Sequence, residues 1–246
     1  MRTSNPALSD RVFAPSYAYD SPSTTMTLQG TVFKTGLLLL IAFVTGAYSW
    51  SEYMRGSPNI PMLLIGGAIG GLIFSLIAIF KPTTSPWAAP LYAACEGLFL
   101  GALSATYEVK FQGIVLQAAL LTFGTLAALL MAYTSRLIKA TENFKLGIAA
   151  ATGGIALVYL LSLGLSFFGI QIPYLHSAGP IGIGISVFIV VVAALNLVLD
   201  FDFIENGAAR GAPKFMEWYG AFGLMLTLVW LYIEFLRLLA KLNRRD

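Results

Sequence analysis

The stretch IGIGISVFIVVVAALNLVLDFDFIENG, residues 181–207, joins an uncharged apolar run to a cluster of acidic residues. Its first 19 residues carry no charge, and three carboxylates, Asp200, Asp202 and Glu205, then follow within six residues. A helix of about 20 apolar residues, rising about 1.5 Å per residue, crosses the roughly 30 Å of hydrocarbon in a bilayer. The stretch therefore predicts a membrane-spanning helix that ends in an acidic cluster.

Six further apolar blocks of similar length lie along the 246-residue chain, separated by loops rich in Pro, Gly and charge. In chain order, the seven blocks cover residues 31–51, 61–80, 87–107, 112–133, 147–169, 180–204 and 216–238. Composition agrees, because 57% of the residues are apolar and 11% are charged, against about 25% charged in a soluble domain. The sequence predicts an all-α membrane protein with seven transmembrane helices.

The chain divides into three segments. Residues 1–30 are rich in Ser, Thr and Pro and lack the apolar stretch of a signal peptide, so we expect a flexible polar tail. Residues 31–238 form a single transmembrane helical domain. Residues 239–246 form a basic C-terminal tail.

Lys and Arg residues concentrate in loops on the cytoplasmic side of membranes, and their distribution here favours a cytoplasmic N-terminus. With that orientation the outer loops hold only Arg55 and Lys110. The inner loops and tail hold Arg2, Arg11, Lys34, Lys81, Arg136, Lys139, Lys145, Arg210 and Lys214. Seven crossings place Arg237, Lys241, Arg244 and Arg245 outside, so either this tail is an exception or one block is re-entrant.

Small residues form packing signals on two blocks. They recur at every fourth position of the third block, at Ala89, Ala93, Gly97, Gly101 and Ala105. The second block contains the overlapping pairs Gly66 with Gly70 and Gly67 with Gly71. Such stripes let helices approach closely in a membrane. We expect tight contacts within one chain, with dimerisation as the alternative, and the oligomeric state stays open.

Helical phase separates the three carboxylates of the sixth block. Asn196 and Asp200 share a face with Ile204 by i, i+4 spacing, whereas Asp202 points elsewhere. If the helix ends near residue 205, Asp200 lies about one turn below the membrane surface, and Asp202 and Glu205 lie nearer water. An ionisable group at depth is costly and is a functional candidate by default. Asp200 is therefore the principal candidate for an ion or proton site.

Three further carboxylates lie in apolar blocks. The short loop at 206–215 makes the last two helices antiparallel neighbours, so Glu217 could meet Asp200 and form a proton or Ca²⁺ site. Glu96 lies near the middle of the third block, where it either belongs to an ion path or is a neutral group hydrogen-bonded to another helix. Glu234 precedes Arg237 by three residues, which predicts an ion pair.

Enzyme and cofactor chemistry have little support. The single cysteine, Cys95, excludes an intrachain disulfide and a Cys-based cluster, and the single histidine, His176, excludes an HExxH zinc site. The basic residues are scattered, which argues against a nucleic-acid partner. We expect no enzymatic activity and no cofactor. The expected partners are the lipid bilayer, Ca²⁺ and protons, with a membrane protein as an additional candidate partner.

The sixth block running into Asp200-Phe201-Asp202-Phe203-Ile204, the short loop and a seventh block containing FLRLL resemble the Bax inhibitor-1 family. The resemblance covers roughly residues 30–240, with Glu96-Gly97 and Gly101 as further matching positions, and the opening MRTSNPALS is similar to its longer bacterial members. It implies a seven-helix bundle with a central last helix, a bacterial inner-membrane location and a pH-sensitive calcium leak. It also implies an aspartate pair between helices six and seven, whose first member corresponds to Asp200. At the second position this sequence has Thr227.

The leading hypothesis is a cation leak channel, for Ca²⁺, gated by protonation near Asp200. Carboxylate oxygens suit hard cations, and the chain has almost no thiol or imidazole. The alternative is a membrane regulatory protein that modulates proteases or stress responses through its tail, without transport. A proton-coupled transporter is less favoured, because the sequence shows no convincing internal repeat.

Overall fold

The structure, a computed structural model, describes residues 25–169 and 177–244. These residues form seven α-helices that are long and apolar enough to cross a membrane. They are α1 (Leu28–Met54), α2 (Ile60–Phe80), α3 (Ser85–Lys110), α4 (Ile114–Thr134), α5 (Glu142–Ser166), α6 (Pro180–Ala209) and α7 (Met216–Asn243). The described residues contain no sheet, only an isolated bridge between Thr25 and Pro213. The predicted all-α fold with seven transmembrane helices is confirmed.

The helix ends differ from the predicted blocks for local reasons. Helix α1 begins at Leu28, before the predicted residue 31, because the Thr27 hydroxyl caps it by accepting a hydrogen bond from the Gly30 amide. Helix α6 continues past Ile204 to Ala209. It ends where Gly211 adopts a positive φ of 65° and the Ala212 amide donates to the Gly207 carbonyl, a glycine-dependent C-terminal cap.

Parts of the predicted tails lie outside the described residues. These parts are residues 1–24 of the N-terminal tail and residues 245–246 at the C-terminus. Residues 239–243, assigned to the C-terminal tail from the sequence, continue α7 as helix. His176 falls in the second undescribed range, residues 170–176.

Burial is concentrated in three helices. In the most apolar part of each helix, 50% of residues are buried in α3, 56% in α6 and 50% in α7, against 11–22% in the other four. Helix α7 is thus strongly buried, as expected for a last helix that other helices surround. Helices α3 and α6 share this character, so an ionisable side chain in the middle of either helix is costly to bury.

The chain forms two compact units. The N-terminal unit contains α1, α2 and α3 together with Asp202–Leu226. Here α1 and α3 approach so closely that a Cβ at Gly101 would overlap the Gly46 carbonyl. Helix α2 packs on α3 at Gly67, where a Cβ would lie 2.7 Å from the Cys95 carbonyl oxygen. Small residues thus mediate contacts within one chain, as predicted.

The C-terminal unit contains Gly113–Phe201 and the chain from Thr227 onward. Its apolar core joins Ile155 of α5 to Ile189 and Val192 of α6, and Trp230 of α7 packs against these side chains. At the end of α4, the ring of Tyr133 lies 5.8 Å from that of Phe201, measured between centroids. These contacts bury the carboxyl-terminal part of this α6 segment, which includes Asp200.

Candidate functional site

Asp200 lies on the most buried part of α6. Its exposed fraction is 0%, and its i−4 neighbour Asn196 is 2% exposed, as predicted from the shared helical face. Because α6 continues to Ala209, Asp200 lies nine residues, about 13 Å, before the helix end rather than one turn before it. The carboxylate is therefore farther from the helix end than the sequence suggested.

Asn196 anchors this face to α5. Its side-chain amide donates one hydrogen bond to the Thr152 hydroxyl at 2.8 Å and one to the Val192 carbonyl of its own helix, also at 2.8 Å. Both donor positions of a buried amide are thereby used. These bonds fix the rotation of α6 one turn before Asp200, so they also fix the direction in which Asp200 projects.

Asp202 and Glu205 do not end the helix as expected. Both are partly buried, and the first exposed residues of this segment are Ala209 and Arg210. The Asn206 side chain donates to the Asp202 backbone carbonyl at 2.7 Å, which supports the helix at this point. The solvated end predicted near residue 205 therefore lies about one turn later, because Gly211 and not the acidic cluster terminates α6.

Glu96 packs against α2. The carboxylate faces Gly71, where a Cβ would lie 2.6 Å from Oε2. Within residues 25–169 and 177–244 it makes no hydrogen bond or ion pair, which differs from the predicted alternative of a glutamate hydrogen-bonded to another helix. The glycine leaves room for a carboxylate at a helix interface, and Glu96 stays a candidate for an ion path.

Glu217 is fully buried and surrounded by donors. It forms ion pairs with Lys34 of α1 and with Lys214, whose Nζ lies 2.8 Å from Oε1. Thr27 adds two hydrogen bonds to the same oxygen, from its amide at 2.9 Å and from its hydroxyl at 2.8 Å. A carboxylate neutralised by two ammonium groups is a poor ligand for a further cation, so this geometry does not favour Glu217 as the Ca²⁺ ligand predicted from the sequence.

The candidate residues distribute over both units. Asn196, Asp200 and Thr227 belong to the C-terminal unit, whereas Glu96, Asp202 and Glu217 belong to the N-terminal unit. Thr227, at the position where the resemblance implies a second aspartate, is 2% exposed. At these three positions the C-terminal unit therefore has one carboxylate, one amide and one hydroxyl, and not a pair of carboxylates.

The predicted ion pair on α7 is confirmed. Arg237 Nη1 lies 2.9 Å from Glu234 Oε1, and the Tyr159 hydroxyl of α5 donates to the same oxygen at 2.9 Å. One turn later, Lys241 is 8% exposed and donates to the Gly182 carbonyl at 3.0 Å and to the Ser186 hydroxyl at 2.8 Å. The basic end of α7 is therefore bonded to α5 and α6 of the same unit.

No cluster of three or more His, Cys, Asp or Glu side chains is placed to hold a metal ion in the described part of the chain. Glu96, Asp200 and Glu217 each have a different surrounding within their own unit.

Comparison with known proteins gives one positive result. The sequence profile of the Bax inhibitor 1 like family matches residues 5–244, nearly the whole chain. The chain belongs to the Bax inhibitor 1 like family. Comparison with curated proteins and with solved structures gave no match. As a Bax inhibitor 1 like protein with seven apolar helices, it is an integral membrane protein.

Sequence reasoning missed two functional features of this Bax inhibitor 1 like protein. The spacing of Lys214 and Glu217 was a visible signal for an i, i+3 pair. Lys34 lies 183 residues from Glu217 in sequence, and no local pattern predicts that contact. The bonds of Lys241 to α6 were equally hidden, because the residue was assigned to a tail.

Proposed function

We propose that the protein is a pH-sensitive cation leak channel, with Ca²⁺ as the transported cation and Asp200 as the gating carboxylate. Family membership supports this assignment, because the resemblance implies such a leak and an aspartate at this position. Asp200, Asn196 and Thr227 are the polar residues of the gate in the C-terminal unit. Glu96 and Asp202, in the N-terminal unit, are the other acidic residues that the sequence predicts for an ion path.

The observation that carries the proposal is the complete burial of Asp200 in an apolar, membrane-spanning helix. A charge at membrane depth costs about 2.5–3.5 kcal/mol on insertion scales, so the ionised form depends on a cation or on water in its surroundings. The protonated form carries no charge and is a weak ligand for a hard cation. Proton binding at Asp200 thus lowers the cost of burying this side chain and also weakens its affinity for Ca²⁺.

The direct test is calcium flux into liposomes that contain the purified protein and a calcium dye, at about pH 6 and about pH 8. We expect flux that differs between the two pH values for the wild type and does not differ for Asp200→Asn. Glu142→Gln is the matched control, because Glu142 is 72% exposed at the start of α5. Asp200→Asn with the pH response of wild type would refute the gate. The calcium flux of Glu96→Gln and of Glu217→Gln in the same assay shows how much each of these two carboxylates contributes.

A second candidate function is regulation through the N-terminal tail, without transport. The supporting observation is that residues 25–27, where the tail joins α1, are bonded to the α6–α7 loop and to Glu217. A partner that binds residues 1–24 would then act on the membrane domain through this contact. Removing residues 1–24 distinguishes the functions, since it leaves calcium flux unchanged and abolishes a tail-mediated interaction.

We also propose a location in the bacterial inner membrane, which the resemblance supports, and a cytoplasmic N-terminus, which the distribution of Lys and Arg supports. Ca²⁺ is substrate here and not a cofactor, and neither catalysis nor nucleic-acid binding is part of the proposal. Reaction of single introduced cysteines with an impermeant thiol reagent in intact cells tests the topology.

A further inference from the structure

The residues just before α1 are docked on the loop between α6 and α7. The Met26 amide donates to the Ala212 carbonyl at 2.6 Å, and Thr25 forms an antiparallel bridge with Pro213. The Met26 side chain is buried, with 3% exposed. An extended segment with one main-chain hydrogen bond and one buried apolar side chain resembles the way a protein binds a peptide by strand pairing.

Thr27 adds a polar anchor to this contact. Its hydroxyl accepts a hydrogen bond from the Gly30 amide at 3.0 Å and donates one to Glu217 Oε1 at 2.8 Å. The hydroxyl therefore caps α1 and bonds α7 at the same time. The Thr27 amide also donates to Glu217, so the carboxylate holds both the side chain and the main chain of this residue.

The surroundings of Glu217 are shaped for a charged carboxylate. Lys34 and Lys214 pair with it from α1 and from the α6–α7 loop, and the Lys34 ammonium lies 5.4 Å from the centre of the Trp218 ring. Gly30 leaves the necessary space, because a Cβ there would overlap the carboxylate. Removing the charge would leave two ammonium groups facing a weaker partner.

We propose that Thr25–Thr27, the α6–α7 loop and Glu217 form a clasp that couples the N-terminal segment to the loop. The clasp depends on the charge of Glu217 and opens while the seven helices stay folded. The segment that binds to the α6–α7 loop and Glu217 is the protein's own extended segment Thr25–Thr27. All of its residues belong to the N-terminal unit, and the inference does not depend on ion transport.

Hydrogen exchange in detergent micelles, followed by mass spectrometry, tests the clasp. Glu217→Gln should raise the exchange rate of the peptide covering residues 25–31 roughly tenfold, as expected for lost hydrogen bonds to a charged group. The helical content and the exchange of α5 should not change. Glu142→Gln, which breaks the i, i+3 pair between the exposed Glu142 and the buried Lys145, is the matched control and should leave the peptide unaffected. Unchanged exchange in folded Glu217→Gln would overturn the proposal.

A second pair of variants separates the clasp from helix capping. Thr27 and Thr141 both cap helices, but among the bonds of these two hydroxyls only that of Thr27 reaches Glu217. Thr27→Val should therefore increase exchange of residues 25–31 more than Thr141→Val increases exchange at the start of α5. Thr27→Ser, which keeps the hydroxyl, should restore protection. Equal effects of the two valine variants would reduce Thr27 to an ordinary cap and overturn its role in the clasp.

An engineered disulfide tests whether the contact between Thr25 and Pro213 is what protects residues 25–31 from hydrogen exchange. Residues paired across an antiparallel bridge have Cα atoms about 4.5–5.5 Å apart, which is within the range for a disulfide. Thr25→Cys with Pro213→Cys should form a cross-link and restore protection in the Glu217→Gln background. Thr25→Cys alone controls for pairing with the native Cys95. A cross-linked protein whose residues 25–31 still exchange rapidly would contradict the proposal.

Discussion

The buried carboxylates of this protein differ in what surrounds their charge. Glu217 has two lysines and Thr27 as partners, and Glu234 has Arg237 and the Tyr159 hydroxyl. A buried ion pair costs several kcal/mol per ion to desolvate, so such groups remain charged only with good geometry and additional hydrogen bonds. The structure supplies both at Glu217 and at Glu234 Oε1, so each of these two carboxylates is paired within its own unit.

The Tyr159 hydroxyl provides a test at the residue scale. Tyr159→Phe removes one of the two hydrogen bonds to Glu234 Oε1, and we expect a loss of about 1–2 kcal/mol in the free energy of unfolding. Unfolding by SDS in mixed micelles measures this loss. Tyr48→Phe is the control, because Tyr48 is 55% exposed. Equal stability of the two variants would show that Glu234 does not need the hydroxyl.

At this scale, sequence predicted contacts that are local and missed those that are not. The pair of Glu234 and Arg237 follows from i, i+3 spacing, and the burial of Asn196 with Asp200 follows from i, i+4 spacing. The pairing of Lys34 with Glu217 depends on how α1 and α7 are placed in three dimensions. Helical periodicity contains no information about that placement, so the sequence did not predict this pair.

Single glycines decide which helix faces approach each other. On α2, Gly67 faces α3, whereas the adjacent Gly66 has no atom within 4 Å of a Cβ placed on it. The sequence predicted two small-residue pairs on α2 and could not rank them, because both have the same spacing. In the structure Gly67, Gly70 and Gly71 face α3 of the same chain, and Gly66 does not. Glycine periodicity thus predicted that a close contact exists, but not which face makes it.

This difference gives a matched pair of variants. In Gly67→Ala the added Cβ lies 2.7 Å from the Cys95 carbonyl oxygen and 2.8 Å from the Phe99 amide nitrogen, both backbone atoms that cannot easily move. We expect a loss of about 1–3 kcal/mol in stability. Gly66→Ala should be neutral or stabilising by up to about 1 kcal/mol, since Ala favours a helix. Thermal unfolding in detergent compares them, and destabilisation by Gly66→Ala would instead indicate a contact between chains.

Across the whole molecule, the number and order of the helices could be predicted from the sequence because apolar length is a strong signal. The side of the membrane on which the basic end of α7 lies was harder to predict, since its charges conflicted with the expected orientation. Two of those residues make bonds inside the C-terminal unit, Arg237 with Glu234 and Lys241 with Ser186. Charges bonded within the protein are weaker signals for orientation than charges in loops. The same holds for Lys34 and Lys214, which pair with Glu217.

Truncation tests how the tail relates to the membrane domain. Deleting residues 1–24 leaves the clasp intact, so we expect unchanged thermal stability. Deleting residues 1–28 also removes Thr27, which caps α1 and bonds Glu217, and should cost about 1–3 kcal/mol. Thermal unfolding of both proteins measures the difference. Equal stability of the two truncated proteins would mean that residues 25–28 contribute nothing to the fold.

Gating of a calcium leak by proton binding at Asp200 is tested by calcium flux through reconstituted Asp200→Asn. We expect the ratio of the calcium flux at about pH 6 to that at about pH 8 to differ from one in the wild type and in Glu142→Gln. In Asp200→Asn the ratio should be about one. A wild-type ratio in Asp200→Asn, or no calcium flux through the wild-type protein at either pH, would contradict it.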